Sequence, residues 1–156
     1  DFTFGKSGTS DRVSGQVWMK AGANYYLLDN NTDKMDFVEQ QRAIEAMSSK
    51  WPQAVQKIVE AKANGAAIIS SMSSRISGIK PYEPRGSKEA RLYAVSPVFE
   101  SGNAYLPPES PEYPWVRDYE NELLSFPNGQ YDDQVDATTM ALDELIGVSG
   151  GILSMF

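Results

Sequence analysis

Residues 13–28, VSGQVWMKAGANYYLL, are typical of two β-strands joined by a turn. Val13 to Met19 alternates roughly between two faces, and Tyr25 to Leu28 is a short aromatic and aliphatic run. The segment between them, Lys20 to Asn24, is rich in turn-forming residues, which favours an antiparallel hairpin. We therefore expect a β-hairpin in this part of the sheet.

Downstream of the hairpin, helical patterns alternate with short apolar runs. Asp36 opens a helical pattern, Val55 to Val59 predicts an inner strand that ends at Glu60, and a second helix follows from Asn64. The remaining predicted elements are a strand at Ile79–Tyr82, a helix from Lys88 to about Phe99, an extended segment at Asn103–Leu106, and helices at Trp115–Phe126 and Asp132–Ile146.

A hairpin combined with βαβ crossovers predicts an α/β fold with a central mixed β-sheet. The length of 156 residues is that of about one domain. We place this domain at residues 1–146. The segment that follows, residues 147–156 (GVSGGILSMF), is Gly-rich and apolar, and we expect it to be a flexible C-terminal tail.

The composition excludes several kinds of chemistry, because the chain has neither cysteine nor histidine. Without cysteine there is no disulfide, thiol nucleophile or Cys-based zinc site, and without histidine there is no Ser-His-Asp arrangement. An enzyme with this composition would depend on carboxylates, Lys, Tyr, Ser/Thr or a bound ion. Carboxylate oxygens suit hard cations such as Mg²⁺, Mn²⁺ or Ca²⁺.

The net charge of −7 argues weakly against a nucleic-acid partner, since such domains are usually basic. The objection loses force if acids cluster around metal ions, which reverse the local charge. No apolar run approaches the ~18 residues needed to span a bilayer, and no signal peptide is visible, so we expect no membrane partner.

The strongest local feature is a cluster of three acids at the start of the last predicted helix. Asp132, Asp133 and Asp136 fall within five residues, and helical spacing brings them onto neighbouring faces. Favourable interaction with the helix dipole explains one or two such acids, at about 0.3–1 kcal/mol each. It explains three less well, because they repel each other, so a metal site competes with the purely structural explanation.

Glu60 is a second candidate, because it ends an apolar strand just before a helix begins. Ligands of α/β sheets bind at such strand ends, although this feature alone favours a Glu that points into solvent. Asp1, at the head of DFTF, indicates nothing by itself. The segment Gly5-Lys6-Ser7 lacks the context of a phosphate-binding loop.

Four cations between residues 80 and 91 could contact phosphates, or could simply cover a solvated helix face. Two of them, Lys88 and Arg91, are three residues apart on one predicted helix. Paired carboxylates with many aromatic residues also occur in glycosidases, but most aromatics here occupy positions that a core would need.

Taken together, these segments resemble the C-terminal nuclease domain of the large terminase subunit of tailed bacteriophages. The resemblance covers nearly the whole chain, and its most specific part is Phe126–Ala137 (FPNGQYDDQVDA). The family often has His before the Asp pair, where this chain has Tyr131. Further matching segments, in the expected order, are Asp1–Phe4, Gly22–Asp29, Val59–Gly65, Lys88–Arg91, Phe99–Asn103 and Glu122–Pro127.

The resemblance implies a ribonuclease-H-like fold, with helices on both faces of the sheet, and a site that holds two divalent ions, Mg²⁺ or Mn²⁺. Such ions lie about 3.5–4 Å apart, where one activates water and the other stabilises the leaving oxygen. Asp1, Glu60 and Asp133 would be catalytic, with Asp133 the favoured direct ligand of its cluster. The implied metal-site residues are Asp1, Glu60, Asp132, Asp133 and Asp136, and the implied DNA contacts are Lys62, Lys88 and Arg91.

The function implied by the resemblance is that of an endonuclease domain that cuts concatemeric double-stranded DNA during viral packaging. Its partners would be DNA, an ATPase motor domain of the same polypeptide, the portal and the small terminase subunit, in the host cell cytoplasm. Two alternatives remain open: a catalytically silent DNA-docking or assembly module of the same fold, and another nuclease of this fold, such as a junction resolvase.

Overall fold

A computed structural model describes residues 12–61 and 64–156. Within these residues, six strands form one mixed sheet, and five helices pack on it. In chain order the elements are β1 (Arg12–Ala21), β2 (Asn24–Lys34), α1 (Phe37–Lys50), β3 (Gln56–Glu60), α2 (Asn64–Met72), β4 (Ile79–Tyr82), α3 (Lys88–Glu100), β5 (Ala104–Tyr105), α4 (Val116–Ser125), α5 (Asp133–Ile146) and β6 (Gly151–Met155). The strand order across the sheet is β4-β3-β6-β1-β2-β5.

The predicted hairpin is confirmed by the pairing of β1 with β2. The two strands run antiparallel from Arg12 opposite Lys34 to Ala21 opposite Asn24. Gly22 sits in the turn with φ +61°, a conformation that glycine adopts without strain. Beyond the hairpin, β5 pairs parallel with β2, and β3 pairs parallel with β4. The sheet is therefore mixed, as expected.

Two layers of helices cover the sheet, because neighbouring residues of each strand point to opposite faces. On β3, Ile58 packs in the cluster formed with α3, α4 and α5, whereas Val59 packs in the cluster formed with α1 and α2. On β1, Trp18 and Val17 divide in the same way. The predicted arrangement, an α/β fold with helices on both faces, is confirmed.

Local capping signals mark the beginnings of α1 and α3. The side chain of Asp36 accepts a hydrogen bond from the Glu39 backbone N–H, and the Glu39 side chain accepts one from the Asp36 backbone N–H. This reciprocal pair satisfies two otherwise unpaired donors at the start of α1. Ser87 caps α3 through Ala90. Within the residues that the structure describes, no helix is long and apolar enough to cross a membrane.

The predicted flexible tail at residues 147–156 is wrong. β6 lies inside the sheet, antiparallel to β1 and parallel to β3. Leu153 is 3% exposed, and Met155 is fully buried. The glycines are confined to the connection and the first residue of the strand, whereas the apolar residues after them bury their side chains and pair their backbone on both sides. The structured domain thus extends beyond residue 146.

Candidate active site

A cavity of about 200 Å³ opens beside the carboxyl end of β3. This is the edge at which α/β sheets place ligands, because loops and helix N-termini converge there. The beginnings of α2 and α5, the first residues of β1 and a largely apolar face of α1 (Gln40, Ala43, Ile44 and Met47) complete its wall. The polar and charged side chains that line it include Arg12, Glu60, Asn64, Asp133 and Asp136.

Glu60 reaches the cavity because it is the last residue of β3. Its backbone N–H donates to the carbonyl of Phe156, 3.1 Å away, which ties the strand end to the end of β6. α2 begins directly against it: a Cβ on Gly65 would lie 1.6 Å from the Glu60 carbonyl oxygen. Only glycine permits this close approach, so Gly65 fixes how α2 starts beside Glu60.

Asp133 and Asp136 reach the same cavity from the first turn of α5. Burial raises the pKa of Asp133, and the nearby carboxylates of Asp132 and Glu122 raise it further, against the opposing effect of Arg12. The charged form of Asp133 is thus disfavoured by its surroundings. A cation placed here would relieve that repulsion.

Lys88 and Arg91 lie beside these acids on α3 and are paired with them. The Lys88 Nζ is 2.8 Å from an oxygen of Asp132 and 2.9 Å from one of Asp136, and Arg91 Nη2 is 3.4 Å from Asp136. Burial by itself lowers the pKa of Lys88, but its hydrogen bonds to the two carboxylates outweigh burial and raise that pKa above its ordinary value. Lys88 and Arg91, the predicted phosphate contacts, thus form ion pairs with Asp132 and Asp136, two of the predicted metal ligands.

Arg12 and Glu122 belong to this site and were not predicted from the sequence. Arg12 Nη1 lies 2.5 Å from Glu122 Oε1 and 3.9 Å from Asp133 Oδ2, and the guanidinium stacks 4.2 Å above the ring of Tyr131. Tyr131, the position where the resembled family often has His, thus holds a cation in place. Glu122 follows Tyr119 by three residues and so lies on the same, buried side of α4. A charged residue at such a position is unusual, and this is the sequence signal that could have pointed to Glu122.

Two predicted site residues, Asp1 and Lys62, lie outside the described residues. Of the other acids, Glu60, Asp133 and Asp136 line one cavity, while Asp132 lies beside them and pairs with Lys88. Within residues 12–61 and 64–156, no group of three or more acids is arranged so as to hold a metal ion.

The donor set nevertheless fits a hard divalent cation. The acids that line the cavity supply carboxylate oxygens, and Asn64 adds an amide oxygen, which are the ligand types that Mg²⁺ and Mn²⁺ prefer. Burial raises the pKa of Asp133, and the carboxylates of Asp132 and Glu122 raise it further despite Arg12, so a bound cation would favour the ionised form of Asp133. The side chains on the polar side of the cavity are thus of the types that bind such a cation.

Comparison with known proteins agrees with this architecture. A family model described as a terminase RNaseH-like domain matches residues 1–145. A search of the curated proteins gave no match. The matched region includes both segments that carry the acids of the cavity, at the end of β3 and the start of α5. The chain belongs to the family of terminase RNaseH-like domains.

Proposed function

We propose that this nuclease-type domain is a metal-dependent endonuclease that cuts concatemeric double-stranded DNA during viral DNA packaging. The observation that supports the proposal most directly is the convergence of Glu60, Asp133 and Asp136 on one cavity, although they come from distant parts of the chain. Acids brought together from separate elements are what a metal-assisted hydrolase needs at its centre.

Asp1, Glu60 and Asp133 would hold the ions, with Asp132 and Asp136 as further ligands or as supports of the ligands. When bound, two divalent ions of Mg²⁺ or Mn²⁺ supply Lewis acidity toward the phosphodiester and lower the pKa of a water molecule. No histidine is required for such chemistry.

The residues of the chain itself then have two tasks. Lys88 and Arg91 orient Asp132 and Asp136 through the ion pairs described above. Their positive charge also lies beside Asp136, which lines the cavity. The phosphates of a bound duplex would pass there, so Lys88, Arg91 and Lys62 are the proposed DNA contacts. Arg12 balances the charge of Asp133 from the other side.

The partners and location follow from the same proposal. The domain would act as one part of a packaging motor in the host cell cytoplasm, together with the ATPase motor domain of the same polypeptide, the portal and the small terminase subunit. Selection of the cut site would rest with those parts, so the isolated domain should show little sequence preference.

The test is cleavage of supercoiled plasmid with Mg²⁺, Mn²⁺, or EDTA. The proposal expects cleavage with either metal and none with EDTA. Glu60→Gln and Asp133→Asn should each reduce the rate by at least about 100-fold, because losing a metal ligand should cost no less than losing a residue that orients one, for which about 10–100-fold is typical. Glu112→Gln and Asp33→Asn alter exposed acids outside the cavity and serve as matched controls. Cleavage at the wild-type rate by either cavity variant would contradict the assignment.

A catalytically silent DNA-docking module is the second candidate. It is favoured by two observations: Asp132 and Asp136 are already paired with cations, and the described part of the chain holds no grouped set of three acids for a metal. Such a module would bind duplex DNA without Mn²⁺-dependent cleavage.

A junction resolvase, in contrast, would cut branched DNA in preference to linear duplex in the same assay.

A further inference from the structure

Glu122 is a buried carboxylate with an unusual position. Its side chain is only 5% exposed, on the face of α4 that also buries Val116 and Tyr119. A buried carboxylate is unfavourable unless charge and hydrogen bonds compensate for its lost hydration. Its partners therefore indicate what keeps it there.

Both oxygens of Glu122 are engaged. Oε2 accepts a hydrogen bond from the backbone N–H of Val135 at 2.9 Å, and Oε1 accepts from Arg12 at 2.5 Å and from Gln134 Nε2 at 3.1 Å. Val135 is in the first turn of α5, where backbone N–H groups lack a partner within the helix. Asp132, at the N-cap of that helix, makes no side-chain cap hydrogen bond to any residue the structure describes.

Glu122 thus caps α5 from a neighbouring helix. Its negative charge lies at the positive end of the helix dipole, where it is stabilising. The same helix turn carries Asp133, and the same carboxylate holds the guanidinium that lies 3.9 Å from Asp133. The Glu122 side chain therefore holds both the helix turn that carries Asp133 and the guanidinium of Arg12 beside it.

We propose that Glu122 is a positioning residue of the active site: it holds the first turn of α5 and keeps Arg12 from closing onto Asp133. This inference rests on the proposed function, because it assigns Asp133 to metal binding. Without the charge of Glu122, the carboxylates that remain within 4 Å of Arg12 in the described part of the chain are those of Asp118 and Asp133. A tighter ion pair between Arg12 and Asp133 would compete with a divalent ion.

The first test is made on the metal-free protein. Hydrogen exchange of backbone amides, followed by NMR, should be faster at Val135 and Asp136 in Glu122→Gln than in wild type, with Leu142 in the middle of α5 unchanged. Glu120→Gln, an exposed acid on the same helix, is the matched control and should change none of the three. Unchanged exchange at Val135 in Glu122→Gln would overturn the proposal.

The second test measures the dissociation constant for Mn²⁺ by electron paramagnetic resonance. Glu122→Gln should weaken binding by about tenfold or more, in the range found for residues that orient metal ligands. The double variant Arg12→Gln/Glu122→Gln should recover most of that loss, since it removes the competing cation. A merely structural role for Glu122 predicts no such recovery, and a double variant that binds no better than Glu122→Gln would overturn the proposal.

The two tests separate this inference from the proposed function. If wild-type protein binds no Mn²⁺, the metal-dependent function fails and the inferred effect on Asp133 fails with it. If wild type binds and cleaves but Glu122→Gln matches it in both Mn²⁺ affinity and amide exchange, only the positioning role is wrong.

Discussion

Replacement of Leu153 by Ala tests whether the C-terminal strand is part of the core. Leu153 is 3% exposed and packs with Trp18, Ile58 and Leu142 between the sheet and α5. Buried Leu→Ala changes cost about 2–5 kcal/mol, and the central place of β6 leads us to expect about 3 kcal/mol. That is a large share of the ~5–15 kcal/mol that stabilises an ordinary domain.

The free energy of unfolding is measured by urea denaturation, followed by tryptophan fluorescence, because Trp18 is buried in the same cluster. In a thermal melt the same change should lower Tm by about 6–12 °C, at roughly 2–4 °C per kcal/mol for a chain of this size. The slope of the free energy of unfolding against urea concentration should stay unchanged, because the surface area exposed on unfolding is nearly the same.

Val148→Ala is the matched control, because Val148 lies in the connection to β6 and is 43% exposed. It should change the free energy of unfolding by less than about 0.5 kcal/mol, as surface substitutions usually do. If Leu153→Ala is equally neutral, β6 is not held in the sheet, and the reasoning from its burial is refuted.

Three further predictions concern the site. Gly65→Ala should lower Tm in a circular-dichroism melt, because its Cβ would meet the Glu60 carbonyl oxygen at 1.6 Å; an unchanged Tm would contradict the close approach. Asp133→Asn should raise the Tm of the metal-free protein at neutral pH, because a raised pKa in the folded state means that the ionised carboxyl destabilises the fold. The gain in Tm should vanish when the pH falls below the ordinary pKa range of aspartate, where the carboxyl is protonated in both states. A gain in Tm that does not depend on pH would contradict this cause. Lys88→Gln should weaken binding of a DNA duplex, measured by fluorescence anisotropy with non-cleaving Ca²⁺. It should also reduce the slope of the logarithm of the binding constant against the logarithm of the salt concentration by about 1. An unchanged slope would show that Lys88 contacts no phosphate.

The elements that local signals specify could be predicted from the sequence. The hairpin follows from alternation and a turn, α1 from the helical pattern that begins at Asp36, and the end of β3 at Glu60 from an apolar run before a helix. These signals operate over a few residues, so they do not depend on which elements become neighbours in space.

The rest depends on contacts between distant parts of the chain. The glycines near β6 predict a flexible tail, whereas the order of this strand comes from pairing with β1 and β3. The Arg12–Glu122 pair joins residues 110 positions apart. Likewise, the cluster at the start of α5 could be seen in the sequence, but not that Lys88 pairs with Asp132 and Asp136. Each of these depends on the completed fold.

The central claim is that acids from separate elements hold divalent ions in one cavity. The most direct measurement is a crystal of the protein soaked in Mn²⁺, with the ions located by anomalous diffraction. The proposed function predicts anomalous peaks within bonding distance of Glu60 and Asp133, at about 2.0–2.3 Å from carboxylate oxygens. Well-ordered carboxylates with no peak between them, or Mn²⁺ bound only elsewhere on the surface, would contradict it.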